Sequence, residues 1–321
     1  MTGRLKLFLI AIFLSLPFWW GANLLERNLE DFFAWRQISR NPQIWLAQVS
    51  LDQKLRDAKP FRNNEIAPLE LEGKAGLSLF LGENGQEKVL FELNQEEKLP
   101  IASLTKLMTA KVAIDNYDLA KEVTVSKEAI LQEENFGKLQ AGKVFEAKYL
   151  LYPLLMESSN DAAFSFAHDY PGMSLGNFVS LMNKEASELG LTNTFFANPS
   201  GLDPEDFRPR SPDNKINYST AKDLVFLTKS LFDKPIIWEI LSTRRYNGYG
   251  PELVNNNLLL DSLSGVIGGK TGYTGKAQKC MILVTRAPKN SGNLINVILG
   301  SSDNFGEMRK LVNWIQTAYK W

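Results

Sequence analysis

The sequence predicts an α+β (mixed α/β) fold, in which helices pack on an antiparallel sheet that also carries an inserted helical lobe. A β-hairpin pattern follows residue 75, helical patterns fill residues 103–231, and three strand-like runs return after residue 264. Strands at both ends of a domain with helices between them indicate a sheet built from the two ends. A long apolar segment before the domain predicts a transmembrane helix.

The composition limits the classes of function. The chain has 321 residues, 44% hydrophobic and 22% charged, which is the balance of a globular protein with a full-sized core. Its 36 basic and 36 acidic side chains give zero formal charge, which argues against a nucleic-acid partner. With one cysteine, Cys280, and one histidine, His168, we expect no disulfide, no Cys/His metal site and no cofactor. Cys280 is expected to be a small buried residue.

Residues 1–25 predict a membrane anchor. Arg4 and Lys6 precede an uncharged run, Leu7 to Leu25, which as a helix spans about 28 Å, close to the thickness of a bilayer core. Acidic residues follow, so the positive-inside rule places the body of the protein outside the cytoplasm. We therefore expect a single-pass protein of the cell membrane. The alternatives are an export signal cleaved after Ala22, which would give a secreted protein, and a buried core helix.

A stalk is predicted between the anchor and the main domain. Residues 26–65 mix apolar and charged side chains at helical spacing, which indicates a partly helical segment that would stand off the membrane or lie along its surface. Pro60 and Pro68 enclose a polar stretch and mark a boundary. We therefore divide the chain into an anchor or signal at 1–25, a stalk at 26–65 and one main domain at 66–321.

The main domain begins with a hairpin and ends with strands and a helix. Asn84-Gly85 separates two apolar runs and is typical of a hairpin turn. From Ser103 to Tyr117 the apolar band is too broad for a surface helix, so a buried helix is predicted. Further helices are predicted at 148–156, 161–169, 176–189, 220–231 and 307–321, and strands at 264–274, 279–287 and 293–300.

Three short motifs occur in order in the main domain. They are Ser103-Leu104-Thr105-Lys106, Ser158-Ser159-Asn160 and Lys270-Thr271-Gly272. Each motif alone is weak evidence, because a Ser-x-x-Lys is expected by chance about once in a chain of this length. The ordered set is much more specific than its members.

Competing copies of the motifs have simpler explanations. Ser219-Thr220-Ala221-Lys222 precedes a helical pattern and is explained by a capping serine. Ser291-Gly292-Asn293 lies between two apolar strands and indicates a hairpin turn, while Ser302-Asp303-Asn304 precedes the last helix and supplies caps. The first three motifs are therefore the candidates for chemistry.

The first motif places a nucleophile beside a base. Ser103 opens the buried helix, where unpaired backbone N–H groups and the helix dipole favour developing negative charge. Lys106 follows one turn later on the same face. An apolar setting and a second cation such as Lys270 would make Lys106 lose its proton more easily, so that it can act as general base. Such a serine enzyme does not need His168.

The second and third motifs supply groups that suit a peptide substrate. Ser158 can relay a proton towards the leaving group, and Asn160 can hold a substrate amide. Lys270 and Thr271 offer a charge and a hydroxyl that suit a carboxylate. We therefore expect these four side chains to surround the bond that Ser103 attacks.

Backbone groups complete the predicted site. Gly272 has no side chain and would let an extended peptide lie close against its strand. The backbone N–H groups of Ser103 and Tyr273 would form an oxyanion hole for the tetrahedral intermediate.

The ordered motifs resemble those of the active-site serine penicillin-recognising enzymes, whose signatures are S-x-x-K, S-x-N and K-T-G. Over residues 70–321 the chain is similar to the D-alanyl-D-alanine carboxypeptidases, the low-molecular-mass penicillin-binding proteins. The likeness rests on IASLTKLMTA, SSNDAA, LMNKEASELGLTNTFFANPSGLD, YSTAKDL, NNNLLL, GGKTGYT and LVNW. It implies a β-lactamase/transpeptidase-like fold with a cleft between the sheet and the helical lobe.

The resemblance implies a function. A serine acyl-enzyme would remove the terminal D-alanine from peptidoglycan stem peptides, and β-lactam antibiotics would inhibit it by acylating Ser103. A DD-endopeptidase and a β-lactamase are alternatives in the same superfamily. Against a class A β-lactamase, the sequence has no Glu-x-x-Leu-Asn segment between Asn160 and Lys270. The alternative from another class is an inactive, membrane-tethered peptidoglycan-binding scaffold.

Two positions depart from the family pattern. A basic residue that the family commonly has shortly before its closing Leu-Leu is Asn304 here, which implies a weaker grip on the substrate's terminal carboxylate. Arg309 and Lys276 are the candidates to replace it. Gln278 stands where the family usually has glycine after Ala277, and nothing in the sequence explains that change.

Overall fold

The computed structural model of the chain describes Leu29 and residues 60–133, 137–209, 214–248 and 250–321. The predicted anchor and all of the predicted stalk except Leu29 and residues 60–65 lie outside the described residues. Among the residues that are described, no helix has the length and apolar character needed to cross a bilayer. Arg62–Trp321 forms one compact unit, and the predicted division of the chain at residue 65 stays a prediction.

The unit contains an antiparallel sheet with strands from both of its ends. The strands are β1 (Ala75–Gly82), β2 (Glu87–Leu93), β3 (Val266–Thr274), β4 (Gln278–Arg286) and β5 (Gly292–Ser301), in the spatial order β3-β4-β5-β1-β2. The pairing of β5 with β1 joins the late strands to the early hairpin, as the sequence predicts. Strand β3 lies at the edge of this sheet, and it carries the Lys270-Thr271-Gly272 motif.

Helices cover both faces of the sheet. In chain order they are α1 (Lys106–Asn116), α2 (Ala147–Tyr152), α3 (Asn160–Phe164), α4 (Leu175–Glu188), α5 (Ala221–Ser230), α6 (Pro235–Ser242), α7 (Leu259–Ser262) and α8 (Asn304–Ala318). Short 3-10 segments lie at Ala102–Thr105, Ala129–Leu131 and Pro288–Asn290, and π-helical turns at Pro153–Glu157 and Ser165–Asp169. Two-residue and three-residue strands lie at Phe61–Arg62, Leu99–Pro100, Glu122–Thr124, Val144–Glu146, Tyr218–Ser219, Arg245–Tyr246, Leu253–Val254 and Tyr319–Lys320.

The central strands are buried on both faces, and their side chains divide the core in two. In β4, Cys280, Ile282 and Val284 belong to the cluster that includes α1, α5, α6 and the helical lobe, while Met281 and Leu283 belong to the cluster with α8. This follows from the pleat, because successive side chains of a strand point to opposite faces. Burial raises the pKa of the Cys280 thiol to about 11, which fits the expected role of a small core residue.

Several predicted elements differ from those observed, for local reasons. The helix predicted at 148–156 is α2 followed by a π-helical turn that begins at Pro153, because proline has no N–H to continue the α-helical pattern. The closing helix starts earlier than predicted, at Asn304, because Asp303 accepts a hydrogen bond from Gly306 N (3.1 Å) and caps it. The capping residue of α5 is Thr220 and not Ser219, which pairs in a short strand.

The helical lobe buries an acid that makes no ion pair. Asp161 lies in the first turn of α3 with no exposed surface, and neither carboxylate oxygen is hydrogen-bonded to another residue in the described structure. Burial raises the pKa of Asp161 to about 7, and its own backbone N–H and the positive charge of Lys106 offset this only in part. Asp161 is therefore mostly protonated in the folded protein at acidic pH.

Replacing Asp161 by asparagine should change how stability depends on pH. The unfolded acid loses its proton near pH 4 and the folded acid only near pH 7, so the wild-type free energy of unfolding falls between these values. Asp161→Asn has no such fall, and its stability relative to wild type should grow across this window by up to about 4 kcal/mol. Urea unfolding at pH 4.5 and 7.5 measures the difference, with exposed Asp233 replaced by asparagine as control. Equal differences at both pH values contradict the assignment.

Candidate active site

The nucleophile candidate Ser103 lies in a 3-10 turn that leads into α1. Ala102, just before it, has φ of +46°, a left-handed conformation that non-glycine residues rarely adopt and that clusters at functional sites. Strand β3 passes close by: a Cβ atom at Gly272 would lie 3.0 Å from Ser103 N. Only a glycine fits between the strand and this turn without displacing one of them.

Lys106 is fully buried and joins three parts of the chain. Its Nζ donates to Ser103 Oγ at 2.7 Å, to Asn160 Oδ1 at 2.7 Å and to the carbonyl oxygen of Ser200 at 2.8 Å. Because the amine lies within hydrogen-bond distance of the hydroxyl, a neutral Lys106 is placed to take the proton from Ser103. The structure thus brings together the pair that the sequence predicts.

The second motif contributes two side chains that point to different lysines. Ser158 follows the π-helical turn with φ of +65°, and its Oγ accepts a hydrogen bond from Lys270 Nζ at 2.8 Å. Ser159 Oγ caps α3 by accepting from Ala162 N (3.0 Å). Asn160 begins α3, where Oδ1 accepts from Lys106 and Nδ2 donates to the carbonyl oxygen of Glu133 (2.8 Å).

The third motif places a second buried lysine beside Ser158. Lys270 has no exposed surface and also donates to the carbonyl oxygen of Thr271 at 2.9 Å. Because burial penalises its charged form, the pKa of Lys270 falls to about 7. Thr271 Oγ1 donates to Asn256 Oδ1 at 3.0 Å, and the Tyr273 side chain is exposed.

Part of the predicted site borders one open cleft of about 350 Å³, whereas Lys106, Asn160 and Lys270 are buried and do not line it. Ser103, Ser158, Thr271, Gly272 and Tyr273 line it, and so does Asn256, for which the motifs predict no role. Two serine hydroxyls, each bonded to a buried lysine, therefore lie at one cleft beside an edge strand. Such a site can carry out nucleophilic attack and proton transfer on an extended peptide.

Comparison with known proteins identifies the family. A family model described as D-alanyl-D-alanine carboxypeptidase matches residues 67–303. The chain belongs to the D-alanyl-D-alanine carboxypeptidase family.

Individual curated proteins are also similar to this chain in sequence. The chain is 33% identical to the D-alanyl-D-alanine carboxypeptidase DacF of Bacillus subtilis over 76% of this chain and 62% of that protein. It is 30% identical to a D-alanyl-D-alanine endopeptidase of Pseudomonas aeruginosa over 78% of this chain and 80% of that one. The chain therefore spans less than two thirds of the first relative and four fifths of the second.

Solved structures show the same fold. A D-alanyl-D-alanine carboxypeptidase from Mycobacterium tuberculosis superposes with a TM-score of 0.68 at 27% identity, over 79% of this chain and 94% of that one. Penicillin-binding protein D2 from Listeria monocytogenes, solved in a cefotaxime-bound form, gives 0.64 at 28% identity, over 78% and 100%. The mixed α/β transpeptidase-like fold expected from the motifs is confirmed.

The loop at Ser200, which belongs to one of the segments that carry the family likeness, supports Lys106. The carbonyl of Ser200 accepts from Lys106, and Gly201 follows with φ of +87°. Asn198 Oδ1 accepts from Ser200 N (3.1 Å) and Gly201 N (2.7 Å), which fixes the loop. Asn217 Nδ2 ties the loop to the first motif by donating to Thr105 Oγ1 (2.9 Å) and to the carbonyl of Asn198 (2.8 Å).

The departures from the family pattern have different explanations. Gln278 has φ of +57°, which accounts for the glycine common in the family, and its Nε2 donates to the carbonyl of Gly275 at 2.8 Å. Asn304 lines the cleft, but it is buried and its Nδ2 donates to the carbonyl of Cys280 at 3.1 Å. Neither of its proposed substitutes, Arg309 and Lys276, lines the cleft.

The close approach of Gly201 to the turn that holds Ala102 and Ser103 can be tested by adding a side chain at Gly201. A Cβ at Gly201 would lie 1.9 Å from the carbonyl oxygen of Ala102, so Gly201→Ala must displace the turn beside Ser103. Gly172 has a similar φ of +85°, and a Cβ added there would have nothing within 4 Å, so Gly172→Ala is a matched control for backbone strain alone. We expect losses of unfolding free energy of about 2–5 kcal/mol for Gly201→Ala and about 1–2 kcal/mol for Gly172→Ala. Equal losses in denaturant unfolding contradict the proposed clash.

Proposed function

We propose that this chain is a serine-type D-alanyl-D-alanine carboxypeptidase, which removes the terminal D-alanine from peptidoglycan stem peptides through an acyl-enzyme. The observation that carries the proposal is the 2.7 Å hydrogen bond between Lys106 Nζ and Ser103 Oγ at the open cleft. A general base must lie within this distance of the proton that it removes. Membership of the family supports the choice of substrate.

Acylation follows from the positions of the side chains. Neutral Lys106 takes the Ser103 proton while Oγ attacks the carbonyl carbon of the penultimate D-alanine, and the backbone N–H groups of Ser103 and Tyr273 stabilise the oxyanion. The peptide C–N bond then breaks. The proton that Lys106 took passes through Ser158 to the departing amine, so that D-alanine leaves and Lys106 is neutral again.

Deacylation uses the same base. A water molecule gives a proton to Lys106 and attacks the ester carbon, and Ser103 regains its proton when the C–Oγ bond breaks. Lys270 supports both steps through its hydrogen bond to Ser158, Asn160 positions Lys106, and Thr271 binds the peptide. Gly272 leaves room for the peptide beside β3.

We propose further that β-lactams acylate Ser103 and inhibit the enzyme. The cefotaxime-bound form of a similar Listeria protein supports this. We also propose a single-pass membrane location with the catalytic domain outside the cytoplasm, or secretion if the N-terminal segment is cleaved. The charge pattern of residues 4–25 supports that location.

A DD-endopeptidase is the second candidate. The endopeptidase of Pseudomonas aeruginosa is matched over 80% of its length, against 62% for DacF of Bacillus subtilis. An endopeptidase would cleave the cross-link between two stem peptides and not the free end of one.

The catalytic pair is tested by acylation with a fluorescent penicillin. Ser103→Ala should abolish labelling, and Lys106→Ala should slow it by about 10²- to 10⁴-fold, because general-base catalysis is lost. The second Ser-x-x-Lys supplies the control: Lys222 pairs with Glu96 at the surface, so Lys222→Ala should label at the wild-type rate. Full acylation of Lys106→Ala would disprove its role as base.

The substrate is tested by mass spectrometry of products from a stem pentapeptide and from a cross-linked stem-peptide dimer. We expect release of D-alanine from the pentapeptide, with little cleavage of the dimer. Cleavage of the dimer alone would establish the endopeptidase. Absence of both products, together with no penicillin labelling of Ser103, would indicate the inactive scaffold, and rapid turnover of a chromogenic cephalosporin would indicate a β-lactamase.

A further inference from the structure

A carboxypeptidase substrate ends in a free carboxylate, and the cleft must hold that charge. Carboxylates removed from water need charge-assisted hydrogen bonds, usually from lysine or arginine. Asn304 lines the cleft, but its side chain carries no charge and its amide is already bonded to the carbonyl of Cys280. The cation that binds the terminal carboxylate of the substrate must therefore come from another residue of this chain. This question rests on the function proposed above.

Most basic side chains near the site are engaged. Lys106 donates to three acceptors, and Lys270 donates to Ser158 and Thr271. Burial lowers the pKa of Lys270 to about 7, so its charge is partly lost at neutral pH. Lys276 pairs with Glu205 at 2.6 Å outside the cleft.

Lys279 is placed differently. It lines the same cleft as Ser103 and Thr271, and its side chain is exposed. Its ammonium has no ion pair or hydrogen bond within the part of the chain that the structure describes. Among the described residues no other lysine or arginine lines this cleft. Glu157, which also lines it, accepts a hydrogen bond from Val254 N at 2.9 Å.

The register of the sheet places Lys279 beside β3, the strand that carries the Lys270-Thr271-Gly272 motif. Lys279 in β4 is paired with Tyr273 in β3, and Met281 with Thr271. Directly paired residues of antiparallel strands have side chains on the same face, and alternate residues of one strand share that face. Lys279, Tyr273 and Thr271 therefore present their side chains on one face of the sheet, and all three residues line the cleft.

We infer that Lys279 is the residue that binds the free C-terminal carboxylate of the substrate. The residue determines specificity: it selects peptides that end in a free acid over those whose end is blocked. The chemistry of attack at Ser103 is unaffected by it.

The experiment compares an acyl-D-Ala-D-Ala peptide with the same peptide carrying a C-terminal amide. In Lys279→Ala, kcat/KM for the acid should fall about ten- to a hundredfold, the usual loss for a charge-assisted hydrogen bond, while kcat/KM for the amide stays within about twofold. Lys279→Arg should retain the preference for the acid. Lys276→Ala, which removes an equal charge from the same hairpin outside the cleft, should match wild type.

The outcomes separate this inference from the function on which it rests. Turnover of the amide by Lys279→Ala shows that the variant is folded and that its nucleophile is intact. An unchanged acid-to-amide ratio in Lys279→Ala, or an equal change in Lys276→Ala, would overturn the role of Lys279 alone. If wild type released an amine from neither peptide, the carboxypeptidase function would fail, and this inference with it.

Discussion

The buried amine of Lys106 is the contact on which the rest of the site depends. Removing a charged amine from water costs several kcal/mol unless its donors are all satisfied. Here the acceptors come from three separate segments: the turn at Ser103, the start of α3 and the loop at Ser200. Each segment has its own support, such as the Asn198 side chain that holds the loop. The hydrogen bonds that solvate the lysine therefore also fix the geometry of the nucleophile.

A second buried lysine, Lys270, can serve the proposed site in place of a histidine. Lys270 has no carboxylate partner in the described structure and makes its hydrogen bonds to Ser158 and to its own neighbour's carbonyl. Burial penalises the charged form of Lys270 and lowers its pKa to about 7, so Ser158 is bonded to an amine that can gain or lose a proton near neutral pH. Such an amine can take part in the proton transfers for which other enzymes use a histidine. The lone histidine, His168, is instead bonded to Asp169 (2.8 Å).

Local patterns predicted the parts of the fold and site that local physics determines. The turn at Asn84-Gly85, the strands on both sides of it and the three motifs follow from turn chemistry, periodicity and spacing. The sequence did not assign roles to Gly201, Asn256 or Lys279, because their surroundings come from distant segments. Gly201 meets Ala102, and Lys279 meets Tyr273 only through the register of a hairpin. At Gln278 the sequence revealed the departure from the family pattern but not its reason. The structure gives the reason, because the left-handed backbone there suits the glycine that the family usually has.

The edge position of β3 links the sheet to specificity. One side of β3 pairs with β4, so the other side has backbone groups that an extended peptide can use. Backbone pairing alone does not distinguish one peptide from another, since every peptide has the same donors and acceptors. Discrimination must come from side chains at the end of the added peptide. The register places Lys279 on the face that Thr271 and Tyr273 share. Lys279 on the neighbouring strand β4 can thus bind the carboxylate end of the peptide, while the free edge of β3 stays available for the peptide backbone.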